Sequence, residues 1–377
     1  MAFARHLFAL LLLLAASSGG AAPLKPLSVY FFDVGQGDAA LIVSPSGKTV
    51  LIDAGPPEAD EQLVPRVREL VQGPLDLVIL THPHLDHLGG MVRVLQTVGA
   101  RRFMDPGFDH PSEAYRKLLE VVGHDVDQVM TPTPNPNNPE APLTIGLGEG
   151  VSLSIFWPRV PQQPFLKNTR SDPNSNSIVA RLNHGGTSFL FMGDAEPETE
   201  AALLARRVDL RATVLKVGHH GGRYSSTAPF LAAVRPQAAV ISCGTGTEYG
   251  HPTPEALQRF GAQGTRVLRT DRDGEVLAVS DGDRVTFTTH KGGTPPLVIS
   301  GGPASPSAPL LPTVEAPPRA APPPGTGPTR YVGLKGSKVF HREDCATLKR
   351  SKTQGRTVYT DRDSALRERR PSEDCKP

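Results

Sequence analysis

Four side chains able to bind a metal ion fall within six residues in Thr81-His-Pro-His-Leu-Asp-His-Leu-Gly-Gly90: His82, His84, Asp86 and His87. The apolar run Leu75-Asp-Leu-Val-Ile-Leu80 leads directly into them. A buried strand ending in such a loop can aim His82 and His84 at one ion, and Asp86 and His87 at a second. Imidazole with carboxylate suits Zn²⁺ and its neighbours, with Mn²⁺ as the second choice. A histidine-rich surface loop would need neither the strand before this segment nor Gly89-Gly90 after it.

Further candidates stand where other strands should end. Phe189-Leu-Phe-Met-Gly-Asp194 closes an apolar run with a carboxylate behind glycine, a natural place for an aspartate that bridges two ions. Val214-Leu-Lys-Val-Gly-His-His-Gly-Gly222 ends another run with His219 and His220, just after Lys216. Neighbouring strand residues point to opposite faces, so a turn must bring both histidines inward. Tyr249-Gly-His-Pro252 puts His251 just ahead of a helix. His184 and His290 have no such surroundings and are read as structural.

The elements needed to position these residues follow from periodicity and turn residues. Strands are expected at 27–33, 39–43 and 49–52, with turns at Gly35-Gln-Gly37 and Ser46-Gly47, and a helix at 60–71. Another helix should run from about Gly90 to Thr97. Residues 105–145, rich in Pro and Asn, are expected to form a loop-bearing insertion over the site. Strands at 151–156, 177–182, 188–192, 213–217 and 238–241 alternate with helices at 197–205, 228–234 and 254–260. That alternation predicts a layered α/β fold.

Composition sets the working units. Leu7–Ala16 is an apolar run of ten residues with small residues after it at Ser17–Ala22, which predicts a signal peptide over 1–22. No run is long enough for a transmembrane helix, and no cysteine follows the apolar run to carry a lipid. The expectation is a secreted or periplasmic monomer. Twelve of the 38 prolines lie between Thr294 and Pro328, which marks 291–329 as an extended linker. A catalytic domain is expected at 23–290 and a small α+β module at 330–377. From Arg330 onward there are 13 Lys and Arg against seven Asp and Glu, a net of +6 within a chain total of +2, so the remainder carries −4.

Taken in order, Phe32-Asp-Val-Gly-Gln-Gly-Asp38, the H-x-H-x-D-H loop, Gly193-Asp194, Lys216–Gly221 and Tyr249-Gly-His-Pro252 resemble the metallo-β-lactamase-fold domain of the ComEC/Rec2 competence family and its stand-alone relatives. The resemblance covers roughly residues 27–285 and implies an αββα sandwich with two divalent metal ions at one edge. It implies that His82 and His84 hold the first ion, that Asp86, His87 and His220 hold the second, and that Asp194 lies between them. His219, Lys216 and His251 would then face the scissile phosphate, with Asp86 also counted among the catalytic groups. His220 is preferred over His219 as the ligand. One departure bears on the first ion: the superfamily's third histidine has no counterpart in Pro173-Asn-Ser-Asn-Ser177, where Asn176 or water would have to complete the shell. Gly222 and Thr247 replace a usual serine and asparagine without removing a ligand.

Two ions that activate a hydroxide suit phosphodiesters, whose non-bridging oxygens gather charge that metals and cationic side chains can meet. The leading expectation is therefore a DNA nuclease, with DNA or another phosphodiester polyanion as partner. A phosphodiesterase on cell-envelope phosphoesters, of the phosphocholine-esterase kind, is the alternative. A catalytically weak binding protein is a third reading, which the intact ligand set disfavours. The tail resembles the small metal-binding domain of the Ada DNA-repair protein. His341, Cys345 and Cys375 match its pattern, whereas Ser372 replaces the remaining cysteine. A structural Zn²⁺ on three ligands and a Cys345–Cys375 disulfide both remain open. Cys243, on an apolar strand, is expected to be an inert thiol.

Overall fold

The computed structural model describes residues 26–247, 249–291 and 295–303, together with parts of 330–371. The expected signal peptide, the linker from 304 to 329, Cys345 and Cys375 lie outside the described residues. Two compact units are resolved, one up to Pro309 and one from Leu310.

Among its described residues, the large unit contains 16 strands in chain order: β1 Leu27–Phe31, β2 Ala40–Val43, β3 Thr49–Ile52, β4 Leu77–Ile79, β5 Ala100–Met104, β6 Val126–Met130, β7 Leu143–Gly146, β8 Val151–Trp157, β9 Val179–His184, β10 Thr187–Phe191, β11 Val214–Lys216, β12 Ala238–Ile241, β13 Arg266–Arg269, β14 Val276–Ser280, β15 Arg284–Thr289 and β16 Leu297–Ser300. Its helices are α1 Asp60–Leu70, α2 Leu85–Leu88, α3 Met91–Thr97, α4 Glu113–Asp125, α5 Asp172–Ser175, α6 Pro197–Ala205, α7 Ala228–Val234, α8 Pro254–Ala262 and α9 Thr270–Asp273. One sheet runs β16-β15-β14-β1-β2-β3-β4-β5-β6 and the other β13-β12-β11-β10-β9-β8-β7.

Both sheets turn one apolar face toward the other. Val29, Phe31, Ile52 and Ile79 of the first meet Ile155, Phe189, Phe191 and Val240 of the second in one buried cluster. The outer face of the first sheet is covered by Leu63, Val67, Met91, Val94 and Leu118 of α1, α3 and α4. The outer face of the second is covered by Leu203, Phe230, Leu231 and Phe260 of α6, α7 and α8. The result is the αββα layering. β3, β4, β10, β11 and β12 are buried on both faces, which is why they read as unbroken apolar runs and not as alternating ones.

The helices start where their sequences provide a stop for the chain before them. Ser112 caps α4 by accepting from the Tyr115 amide at 3.2 Å, and Thr253 caps α8 through Ala256. Pro197 and Pro254 open α6 and α8, where a missing amide costs nothing.

Two expectations need correction. Residues 105–145 bear loops at 105–112 and 131–142, but they also form α4, β6 and the start of β7, and both strands lie at sheet edges. The large unit also continues past residue 290, because β16 pairs antiparallel with β15. Its half-exposed Leu-Val-Ile-Ser run was hidden in a proline-rich context. The second unit holds a four-stranded sheet, order Arg356–Tyr359, Tyr331–Leu334, Val339–Arg342, Arg370–Pro371, with Phe340, Tyr359 and Ala365 buried together. His341 is buried on one of these strands.

Candidate metal centre

The first sheet runs parallel from β3 through β6 and the second from β10 through β13. Their carboxyl ends share one edge of the sandwich. Asp53 follows β3, the His82–His87 loop follows β4, Asp194 follows β10, and His219 and His220 follow β11. Gly193, at φ +51°, makes the turn that delivers Asp194; a Cβ there would lie 2.9 Å from Thr81 Cβ and 3.0 Å from Ser177 Cβ. His219 and His220 both adopt left-handed backbone conformations, at φ 49° and 53°, within a 3-10 turn. That unusual pair of conformations turns both rings toward the site, at a strain of about 1–3 kcal/mol each.

The Nε2 of His87 and Oδ1 of Asp194 are 3.3 Å apart. Neither atom has a hydrogen-bond partner, although both are buried. The Nε2 of His220 lies 3.2 Å from Asp86 Oδ2 and 3.6 Å from Asp194 Oδ2, while His87 Nε2 lies 3.8 Å from Asp86 Oδ2. Ligand bonds of about 2.0–2.1 Å in a tetrahedron require edges of roughly 3.4 Å, and these four separations bracket that value. Asp86, His87, Asp194 and His220 therefore fit one divalent ion. On the other side of Asp194, His82 Nε2 is 3.1 Å from His84 Nδ1 and 3.8 Å from Asp194 Oδ2. His82 and His84 thus stand beside Asp194 but outside the compact donor set of Asp86, His87, Asp194 and His220.

A bracing layer fixes these ligands. His87 Nδ1 is 2.8 Å from Asp53 Oδ2, and Asp53 also accepts from the Thr81 amide and hydroxyl, each at 2.7 Å. His220 Nδ1 lies 3.0 Å from the Ser242 carbonyl and 3.3 Å from Asp38 Oδ1. Asp38, Asp53 and His87 also form a tight group. Asp53 is occupied by Thr81 and His87, and Asp38 is paired with Lys216 and His220, so this group is read as support for His87. The Gly-Gln-Gly turn explains how Asp38 arrives: a Cβ on Gly37 would lie 2.3 Å from the Asp86 carbonyl, and the Asp38 amide donates to that same carbonyl at 3.1 Å.

Electrostatics follow the packing. Burial disfavours the cation at His87 and His220, yet Asp194 and the other carboxylates outweigh it. His87 is raised well above its usual pKa and His220 to about 10. Burial alone would raise Asp194, but His220, His87 and His219 hold it well below the usual carboxylate range. Burial, then the His87 charge, pushes His82 well below the ordinary imidazole pKa. Metal uptake must therefore displace protons from His87 and His220.

Around this centre, His219 Nδ1 lies 3.4 Å from Glu196 Oε1 and its Nε2 3.9 Å from Asp194 Oδ2. The His251 ring is 5.4 Å from His219 and 6.1 Å from His220, with the exposed Tyr249 stacked on it. Burial and then His219 and His220 push His251 down to about 4.

Two expectations change here. Lys216 does not face the mouth of the site: it is buried, donating to Asp38 Oδ2 at 2.6 Å and to the Val217 carbonyl at 3.0 Å. A buried ammonium requires a carboxylate, and Asp38 is the one within reach. Asn176 is also unavailable as a ligand. Its Oδ1 accepts from the Leu166 amide and its Nδ2 donates to the Leu166 and Asp172 carbonyls. Sequence reasoning missed Asp53 and Glu196 and left Asp38 without a role. The Ile52-Asp-Ala-Gly55 strand end was the available signal for Asp53. His184 is structural, bonded to Ser280, and Cys243 is a buried free thiol.

Layering, edge location and ligand set together define a metallo-hydrolase sandwich, and the sequence profile of the metallo-β-lactamase superfamily matches residues 32–162. Within that superfamily the domain is ComEC/Rec2-like. It is 29% identical over 276 residues to ComE operon protein 3 of Bacillus subtilis, an alignment covering 66% of this chain and 32% of that protein. It is 30% identical over 256 residues to the competence protein ComA of Neisseria gonorrhoeae, covering 67% and 32% respectively. The chain thus spans about a third of the length of these relatives. A metallo hydrolase from Ignicoccus hospitalis superposes with a TM-score of 0.43 at 16% identity, over 66% of this chain and 98% of that one. Among the described residues no helix is long and apolar enough to cross a membrane.

Proposed function

We propose that this protein is an exported phosphodiester hydrolase that takes two divalent metal ions, Zn²⁺ by preference, and cleaves DNA. The four donor atoms of Asp86, His87, Asp194 and His220, two of them buried without partners, carry the reading. When bound, a pair of such ions acts as Lewis acid and acidifies water near neutral pH. The chain's own groups supply the rest. Asp53 and Asp38 orient His87 and His220 from behind and keep their Nε2 atoms directed at the centre. His219 stands at the mouth, 30% exposed at its side chain. Burial works against its cation, but Asp194 and Glu196 raise its pKa, so it can carry a proton toward a phosphate oxygen or leaving group. His251, held neutral, offers a second imidazole beside it. An added cationic imidazole benefits an anionic phosphodiester more than a neutral lactam. The names of the competence relatives favour DNA as the polyanion, and the apolar run at Leu7–Ala16 favours export.

Purified protein assayed with Zn²⁺, Mn²⁺ and Mg²⁺ should cleave linear DNA and bis-p-nitrophenyl phosphate, and a chelator should stop it. Cleavage of p-nitrophenylphosphocholine alone would move the substrate to the cell envelope. Hydrolysis of nitrocefin with no phosphodiester cleaved would refute the reading.

A further inference from the structure

Four left-handed residues lie on the way from β11 to α7: His219, His220, Gly221 and Ser226, at φ 49°, 53°, 75° and 57°. Side-chain-bearing residues stay in that region only where their surroundings over-determine them. Glu200 on α6 is 2% exposed, and neither the ligand set nor the bracing layer uses its carboxylate. Its Oε1 accepts from the Ser226 amide at 2.5 Å, and its Oε2 accepts from the Thr227 amide at 2.9 Å and the Thr227 hydroxyl at 2.6 Å. Arg259 on α8 takes the carbonyls of the same stretch. Its Nε donates to Ser226, and its Nη2 to Arg223 and Ser225, each at 2.8 Å. The Ser225 hydroxyl carries this grip back to the turn by donating to the Gly218 carbonyl at 2.8 Å, just ahead of His219. Just after His220, the Gly221 carbonyl accepts from the Thr253 amide at the start of α8, at 3.0 Å.

We propose that Glu200 and Arg259 are positioning residues for the His219–His220 turn, a clamp that keeps both imidazoles at the candidate metal centre; the inference rests on the metal-centre reading above. Segment 223–227 is held from two sides, its amides by a carboxylate and its carbonyls by a guanidinium. Both groups stand on helices packed over the second sheet, so the turn takes its position from rigid elements. The residue types suit the task. A carboxylate is acceptor-only, so both oxygens serve donors, whereas a glutamine would turn an NH₂ toward some of them. Burial pushes the Glu200 pKa up to about 7, against the pull of the Thr227 and Ser226 donors and of Arg259. A carboxyl kept in so unfavourable a place must be held there by what it bonds.

The test uses the full chain and has two readouts. The first is amide hydrogen exchange across 218–227 in chelator, which needs no metal. The second is Co²⁺ affinity and visible absorption. Glu200→Gln should lose about 10-fold or more in protection over 218–227, because one or two of three hydrogen bonds go. It should also bind Co²⁺ at least about 10-fold more weakly, with a changed spectrum, as loss of support behind a ligand does. Arg259→Met should act in the same direction. Thr227→Val removes one donor and keeps the side-chain shape, so it should show a smaller loss of the same kind. Ser280→Ala is the control for general destabilisation, since Ser280 bonds His184 and Thr187 at the opposite end of the strands. It should leave both readouts at wild-type values. Exchange and Co²⁺ binding in Glu200→Gln that match wild type, or that change no more than in Ser280→Ala, would overturn the clamp. Wild type that binds no divalent ion would overturn the metal-centre reading, while the exchange comparison would still decide whether the clamp holds the turn.

Discussion

Lys216 offers the sharpest discrimination between a substrate-facing cation and a buried one. Its side chain is 4% exposed and that of its partner Asp38 is 6% exposed, and the two meet at 2.6 Å. Replacing Lys216 by Ala strands a buried carboxylate, an error that costs about 3–5 kcal/mol. For a unit of this size each kcal/mol moves Tm by about 2–4 °C, so Tm should fall by roughly 6–20 °C. Burial raises the Asp38 pKa, while Lys216, with help from His220 and His87, holds it below the usual carboxylate range. Removing the lysine should therefore raise the Asp38 pKa, and the loss should shrink as pH drops and the stranded carboxylate takes a proton. Asp38→Leu combined with Lys216→Met should recover much of the loss, because a pair replaced by apolar groups of similar volume is close to neutral. Thermal unfolding by circular dichroism in chelator, at several pH values, measures this without interference from bound metal. A Lys216→Ala protein with unchanged Tm and lost diester hydrolysis would refute the buried-pair argument and return the lysine to the substrate.

Asp86→Ala and Asp194→Ala should each lose bound metal and at least about 100-fold in bis-p-nitrophenyl phosphate hydrolysis while keeping the far-UV circular dichroism of the wild type. His220→Ala should lower metal content together with rate, whereas His251→Ala should slow turnover by about 10²-fold or more with metal content unchanged; metal loss in His251→Ala would make it a ligand. A chain ending after residue 303, which keeps β16, should hydrolyse the small diester normally and bind long DNA more weakly, with a shallower salt dependence. Equal DNA affinity with and without the tail across a salt series would remove the tail from the mechanism.

The groups of the candidate metal centre were legible because their chemistry is concentrated locally. His82, His84, Asp86 and His87 share one loop, and His219 and His220 are adjacent. Helices at 197–205 and 228–234 were equally plain, since Pro and the apolar spacing mark them from within. What stayed hidden depends on partners distant in sequence. Asp53 acquires its role from parallel pairing of β3 with β4, which sets its carboxylate beside Thr81 and His87. Lys216 looked like an active-site cation because nothing in the chain reveals that Asp38, 178 residues away, is its partner. The strands between 266 and 300 were missed because their apolar residues are short runs among charges and prolines.

The segment 171–177, which carries no histidine, is built into the fold by its own hydrogen bonds. Ser171 accepts from the Asn174 amide to cap α5, and the Trp157 indole and Thr199 hydroxyl both donate to the Ser175 carbonyl. The Ser177 hydroxyl accepts from the Asp194 amide at 3.1 Å, so the same segment fixes an aspartate of the candidate metal centre. A histidine introduced at 176 would have to break three backbone hydrogen bonds made by the Asn176 amide before it reached a metal. At about 0.5–1.5 kcal/mol for each bond, with a further cost for the Leu166 groups left buried, Asn176→His should lower stability more than it strengthens the first ion. Its Tm in chelator should fall below that of the wild type. Equal Tm with tighter metal binding would show that Asn176 merely fills a vacant ligand position.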